Sequence, residues 1–110
     1  RILKVVDADT LDALIDVGFG MRVSERFRLN GIDAPEISTR AGRAARKFVL
    51  DHLSRCPIVV MRTIKTEKFG RWLADVFTLQ GSSDPFMIAE KGVFLNQLLL
   101  EKGLASLYLA

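Results

Sequence analysis

Residues 10 to 17 place Leu11, Ala13, Ile15 and Val17 on one side and Thr10, Asp12 and Asp16 on the other. A period of two belongs to a strand with one face buried, because helical neighbours recur every three or four residues. The flanks agree. Residues 1 to 7 read as a strand running into the acidic turn Asp7-Ala8-Asp9-Thr10, and Gly18 and Gly20 mark the next reversal. Residues 22 to 32 then form a third strand, with Phe27 and Leu29 facing one way and Arg26, Arg28 and Asn30 the other. A chain that opens on three such segments is committed to a sheet.

Ser38-Thr39 offers an N-cap for a helix whose apolar side is Ala41, Ala44, Ala45, Phe48, Val49, His52 and Leu53. Pro57 stops it. Ile58 to Ile64 reads as a fourth strand, Thr63 to Gly70 as a polar loop and Arg71 to Leu79 as a fifth strand. Gln80 to Asp84 is turn chemistry, Phe86 to Ala89 suits a short return strand, and Asn96 caps a short helix that Gly103 closes. The expected fold class is mainly β with α: a five-stranded OB-type barrel, one helix after strand 3 and a short helix after strand 5. With 110 residues, 49% hydrophobic, one domain over residues 1–110 is expected.

Composition excludes several functions. One cysteine and one histidine argue against a disulfide or a Cys/His zinc site. Cys56 reads as a small buried side chain, and His52 as packing or a helix-end charge rather than a general base. No apolar run reaches the roughly 18 residues of a membrane span. Net charge is +3, but residues 22 to 71 hold twelve Lys/Arg against five Asp/Glu. A basic middle suits a polyanionic partner.

The chemistry gathers in Arg28-Leu29-Asn30-Gly31-Ile32-Asp33-Ala34-Pro35-Glu36, in Asp7-Ala8-Asp9-Thr10, and in Lys68-Phe69-Gly70-Arg71. Cutting a phosphodiester requires an activated water and stabilisation of the extra charge on the phosphoryl group. Asp9 and Asp33, short carboxylates in turns, suit a hard divalent cation, with the Ala34 carbonyl as a third oxygen. Pro35 restricts Ala34 and so fixes where that carbonyl points. Glu36 has the reach of a general base. Arg28 and Arg71 can fork onto phosphoryl oxygens. Each motif alone has a plain reading as a solvated turn, loop, surface charge or hairpin. Their joint occurrence points to catalysis.

With these residues the chain resembles the staphylococcal nuclease family over nearly its whole length. The resemblance rests on Val5 to Thr10, Arg28 to Glu36, Phe69 to Ala74 and Asn96 to Ala105. It implies an OB-fold, Ca²⁺-dependent nuclease that cuts DNA and RNA to 3′-phosphorylated products. It implies Asp9, Asp33 and the Ala34 carbonyl as calcium ligands, Glu36 near the attacking water, and Arg28 and Arg71 on the phosphate. It also implies Lys68 and Phe69 near a terminal phosphate and Tyr108 along the sugar and base. Ala8 replaces the family's usual glycine, Phe69 a tyrosine and Ala44 an acidic residue, and Gln80–Gly92 is longer than usual. Relatives are often exported, so a secreted or periplasmic location is expected where an export signal precedes residue 1. A monomer acting on DNA or RNA, away from membranes, is the expectation. The alternative is a non-catalytic OB-type module that binds single strands without cutting them or serves as a scaffold.

Overall fold

The computed structural model describes residues 1–65 and 72–108. Lys68, Phe69 and Arg71, and most of the Thr63–Gly70 loop, lie outside the described residues. In chain order the elements are β1 (Ile2–Asp7), β2 (Thr10–Gly18), β3 (Met21–Leu29), β4 (Ile32–Asp33), α1 (Arg40–Leu53), β5 (Val60–Lys65), β6 (Trp72–Thr78), α2 (Pro85–Lys91), β7 (Val93–Phe94), α3 (Leu95–Glu101) and β8 (Ser106–Leu107). The main sheet runs β1-β2-β3-β6-β5, with β7 on β6; β4 pairs with β8 apart from it. Among the described residues only β3 and β6 pair in parallel, over Phe27↔Trp72 to Leu29↔Ala74. The result is a curled, OB-type half-barrel with helices, mainly β with α.

Apolar side chains of alternate strand positions fill the inner face. Val5, Leu11, Ala13, Phe27, Leu29, Ala74 and Val76 are buried there, joined by Ala45, Val49 and Leu53 of α1 and by Leu95 and Leu99 of α3. Ala8, at the family's glycine position, is fully buried in the same cluster. The β2 alternation fades outward: Leu11 and Ala13 are buried, Ile15 is half-buried and Val17 is exposed. Among the described residues β6 accompanies β3 only from Phe27 onward, so no described strand flanks the outer part of the β2–β3 hairpin on that side.

Helix α1 begins as expected, with Thr39 Oγ1 accepting from Gly42 N at 3.0 Å. Its buried stripe is Gly42, Ala45, Val49 and Leu53, while Ala41 and Ala44 are exposed. Gly42 is there because backbone crosses it: a Cβ would lie 1.9 Å from the Glu36 carbonyl oxygen. Strand β5 starts later than expected and takes Thr63 to Lys65 from the expected loop, because those residues pair with Ala74 to Trp72.

Two expectations are overturned. Phe86–Ala89 is not a return strand but lies within α2, where Asp84 caps the Phe86 and Met87 N–H groups and Pro85 pre-sets the first turn. This helix occupies the long Gln80–Gly92 segment; the strand paired with β6 there is β7. Asn96 is not an N-cap. Phe94 holds that position, without a side-chain bond, and Asn96 lies buried inside the first turn. Gly103 does close α3, at φ 69°, with Gly103 N donating to Leu100 O and Leu104 N to Leu99 O.

His52 and Cys56 are packing residues. His52 Nε2 lies 2.7 Å from Thr78 Oγ1 and its ring stacks on Phe48. Burial lowers its pKa, which disfavours the helix-end charge. Burial pushes the Cys56 thiol up, away from the reactive thiolate.

Candidate active site

The β1–β2 turn, the end of β3 and the β4 segment meet at one edge of the half-barrel. Leu29 N donates to Asp9 O at 2.8 Å, which pins the acidic turn to the end of β3. Ala34 N donates to Asp9 Oδ2 at 2.9 Å, which draws the Asp33-Ala34-Pro35 segment to the same carboxylate. Arg28 lies between the two acids. Its Nη2 is 3.1 Å from Asp33 Oδ1 and 3.9 Å from Asp9 Oδ2. The same nitrogen reaches the Ile32 carbonyl at 3.4 Å.

Tyr108 completes the cluster from the far end of the chain. Its N–H donates to Gly31 O at 2.8 Å, beside the pairs Ile32↔Leu107 and Asp33↔Ser106. The Arg28 guanidinium stands 4.7 Å from its ring centroid. Glu36 is exposed on the loop before α1, where its carbonyl accepts from Thr39 N at 2.9 Å and Thr39 Oγ1 at 2.6 Å. Of the sequence-predicted site residues, Asp9, Arg28, Asp33, Ala34 and Tyr108 are joined by direct contacts. Glu36 follows two residues after Ala34 on the same loop.

Asp9 is only 7% exposed. Burial pushes its pKa up, but bonds with Asp7, Ala34 N–H and Thr10 and the Arg28 charge outweigh that and hold it below the usual range. Asp7 moves the other way. Burial first, then its hydrogen bond with the Asp9 carboxyl and the Asp9 charge, raise it to about 6. Asp7 Oδ1 also accepts from the Asp9 N–H at 3.2 Å, so the two acids sit side by side in the turn, and below about pH 6 the proton rests on Asp7 and the charge on Asp9. The sequence motif assigns Asp7 no role, and spacing in the turn does not show that its carboxylate accepts from the Asp9 N–H.

Asn96, read from sequence as a cap, is a positioning residue. Its Nδ2 donates to Asn30 O at 2.9 Å and Ala74 O at 3.1 Å, while its Oδ1 accepts from Val76 N at 3.1 Å. It bolts the end of β3, two residues past Arg28, to β6. Beside it, buried Asp75 accepts from Arg62 Nε at 2.9 Å and from Asn30 Nδ2 at 3.4 Å.

Two carboxylates gathered around one guanidinium where β3 ends, on an OB-type half-barrel, define a candidate phosphate-chemistry site. The profile of the staphylococcal nuclease homologue family matches residues 26–110, and the chain belongs to that family. The match contains Arg28, Asp33, Ala34 and Glu36 but begins after Asp9. A micrococcal nuclease of Shigella flexneri is 28% identical over 109 residues, covering 98% of this chain and 57% of that protein. Protein ParB of Escherichia coli is 31% identical over 77 residues, 70% of this chain and 40% of that protein. The chain thus spans about half the length of the curated relatives it matches.

Proposed function

We propose that this chain is a Ca²⁺-dependent nuclease that hydrolyses phosphodiester bonds of DNA or RNA to 3′-phosphorylated products. Family membership supports a nuclease; the observation that carries the finer reading is the Asp9–Arg28–Asp33 contact, with Asp9 held ionised despite burial. Among the described residues no three His, Cys, Asp or Glu side chains gather as a metal cluster. The donor set is instead two carboxylates and a carbonyl, all hard oxygens, which suits a calcium or magnesium ion and not zinc. Asp9, Asp33 and the Ala34 carbonyl would hold the ion, which when bound supplies positive charge against the phosphate and lowers the pKa of nearby water.

The chain's own groups do the rest. Glu36 accepts the proton of the attacking water. Arg28 forks onto the phosphoryl oxygens as negative charge develops there, and Arg71 is proposed to share that task. Cleavage of the bond to the 5′ oxygen leaves the phosphate on the 3′ side. Lys68 and Phe69 are proposed to contact a terminal phosphate, and Tyr108 to line the sugar and base. Glu36→Gln and Arg71→Ala should each lower turnover about a hundredfold or more, with melting temperatures close to wild type. Equal losses in turnover and stability would mean that these residues only hold the fold.

A further inference from the structure

A groove of about 740 Å³ opens from the site, lined by Val6, Asp7, Thr10, Glu25, Arg26, Arg28, Lys65 and Trp72. It lies beside the Phe27↔Trp72 pair, where the described part of β6 begins, next to strands β2, β3 and β5. Arg28 and Asp7 of the site just described line it together with Trp72, which is half-buried and packed in part against the core, with the Lys65 ammonium 5.5 Å from its ring centroid. Its volume lies within the range of roughly 300–1,000 Å³ typical of clefts that take a small ligand.

Three features choose the occupant. Arg26, Arg28 and Lys65 supply cations along the groove, against Asp7 and Glu25. Trp72 supplies a flat π-face, whose pairing with Lys65 can exchange for a base with the ammonium moved to its phosphate. The groove is continuous with the phosphate-directed Arg28. An aromatic platform beside basic groups is how single strands are held without sequence readout.

We infer that this groove is a second nucleotide subsite: Trp72 stacks the base next to the scissile phosphate while Lys65 contacts that nucleotide's phosphate. The inference rests on the nuclease reading and narrows it.

Trp72 is the chain's one tryptophan, which makes it its own reporter. Titrate the calcium-free protein, in EGTA, with oligothymidylates of two to eight nucleotides and with an abasic deoxyribose-phosphate chain of equal length. The oligothymidylates should quench Trp72 emission, and the abasic chain should bind about tenfold more weakly with little quenching. In parallel, with calcium, Trp72→Leu should raise KM on single strands about tenfold at unchanged kcat, Trp72→Phe should restore part of the loss, and Lys65→Ala should also raise KM. Lys65→Ala and the wild-type titration stand if Trp72→Leu fails to fold. Oligothymidylate binding that leaves Trp72 emission unchanged, or no binding at all, overturns the subsite. If cleavage persists in that case, the nuclease reading survives without it. Quenching without any cleavage keeps the groove and removes the nuclease.

Discussion

Asp7 Oδ1 accepts from the Asp9 N–H at 3.2 Å in a turn that also offers its backbone to β3, and burial beside Asp9 raises the Asp7 pKa. This has a consequence for stability without metal. Asp7 holds its proton more tightly folded than unfolded, with a folded pKa of about 6 against an ordinary 3.8. Its stabilising contribution is therefore complete below the unfolded value and lost as pH rises through about 6. Above that, an ionised Asp7 faces an ionised Asp9. Asp7→Asn should raise the melting temperature in EGTA at pH 8, and the gain should vanish near pH 4. A gain independent of pH would mean that the Asp7 pKa is not raised in the folded protein. Arg28 offers a second test at this scale. Arg28→Lys keeps a charge between Asp9 and Asp33 but loses the planar fork, so kcat should fall at least tenfold with little change in thermal stability. Unaltered kcat would remove Arg28 from the reaction.

The elements hold the site through groups that carry no chemistry. Asn96 ties β3 to β6 with three hydrogen bonds from one amide. Asn96→Leu keeps the volume but strands buried backbone groups, at about 1–3 kcal/mol for each left without a partner. Urea unfolding should show a loss of at least about 2 kcal/mol, and a neutral result would mean the strands do not depend on the amide. Gly42→Ala should displace the Glu36 loop, because its methyl would collide with backbone that has no flexible end to move. Turnover should fall more than stability.

These two residues also mark where sequence reasoning stops. The strands were legible because burial on one face leaves a period of two, and α1 because Thr39 announces its start. Asn96 near a helix start looks like a cap from sequence alone; only its hydrogen bonds to Asn30 O, Ala74 O and Val76 N show why it points inward. Phe86–Ala89 is too short to tell strand from helix by period. The deciding sign was Asp84-Pro85, which caps and starts a helix. At the site, the residue types were legible, but the meeting of Asp9 with the Ala34 N–H depends on how the turn docks against β3, which no spacing encodes.

The molecule as a whole presents a basic middle to its surroundings, and no described helix is long and apolar enough to cross a membrane. Binding to nucleic acid should weaken steeply with salt as phosphate contacts release counterions. A slope near zero on a log–log plot would argue against phosphate contacts. His52 sets an acid limit for the fold. Burial lowers its folded pKa below 6.5, so the unfolded chain takes up its proton first. Stability from this group is present above about pH 6.5 and is lost as pH falls through the lower folded value. The most direct test of the central claim is cleavage of single-stranded DNA by the purified chain, with Ca²⁺ or with EGTA, and analysis of the fragment ends. The Asp9–Arg28–Asp33 site predicts fragments with 3′-phosphate ends in calcium and intact strands in EGTA. Folded protein that binds the strand but leaves it whole in calcium, or cuts it equally in EGTA, would contradict it.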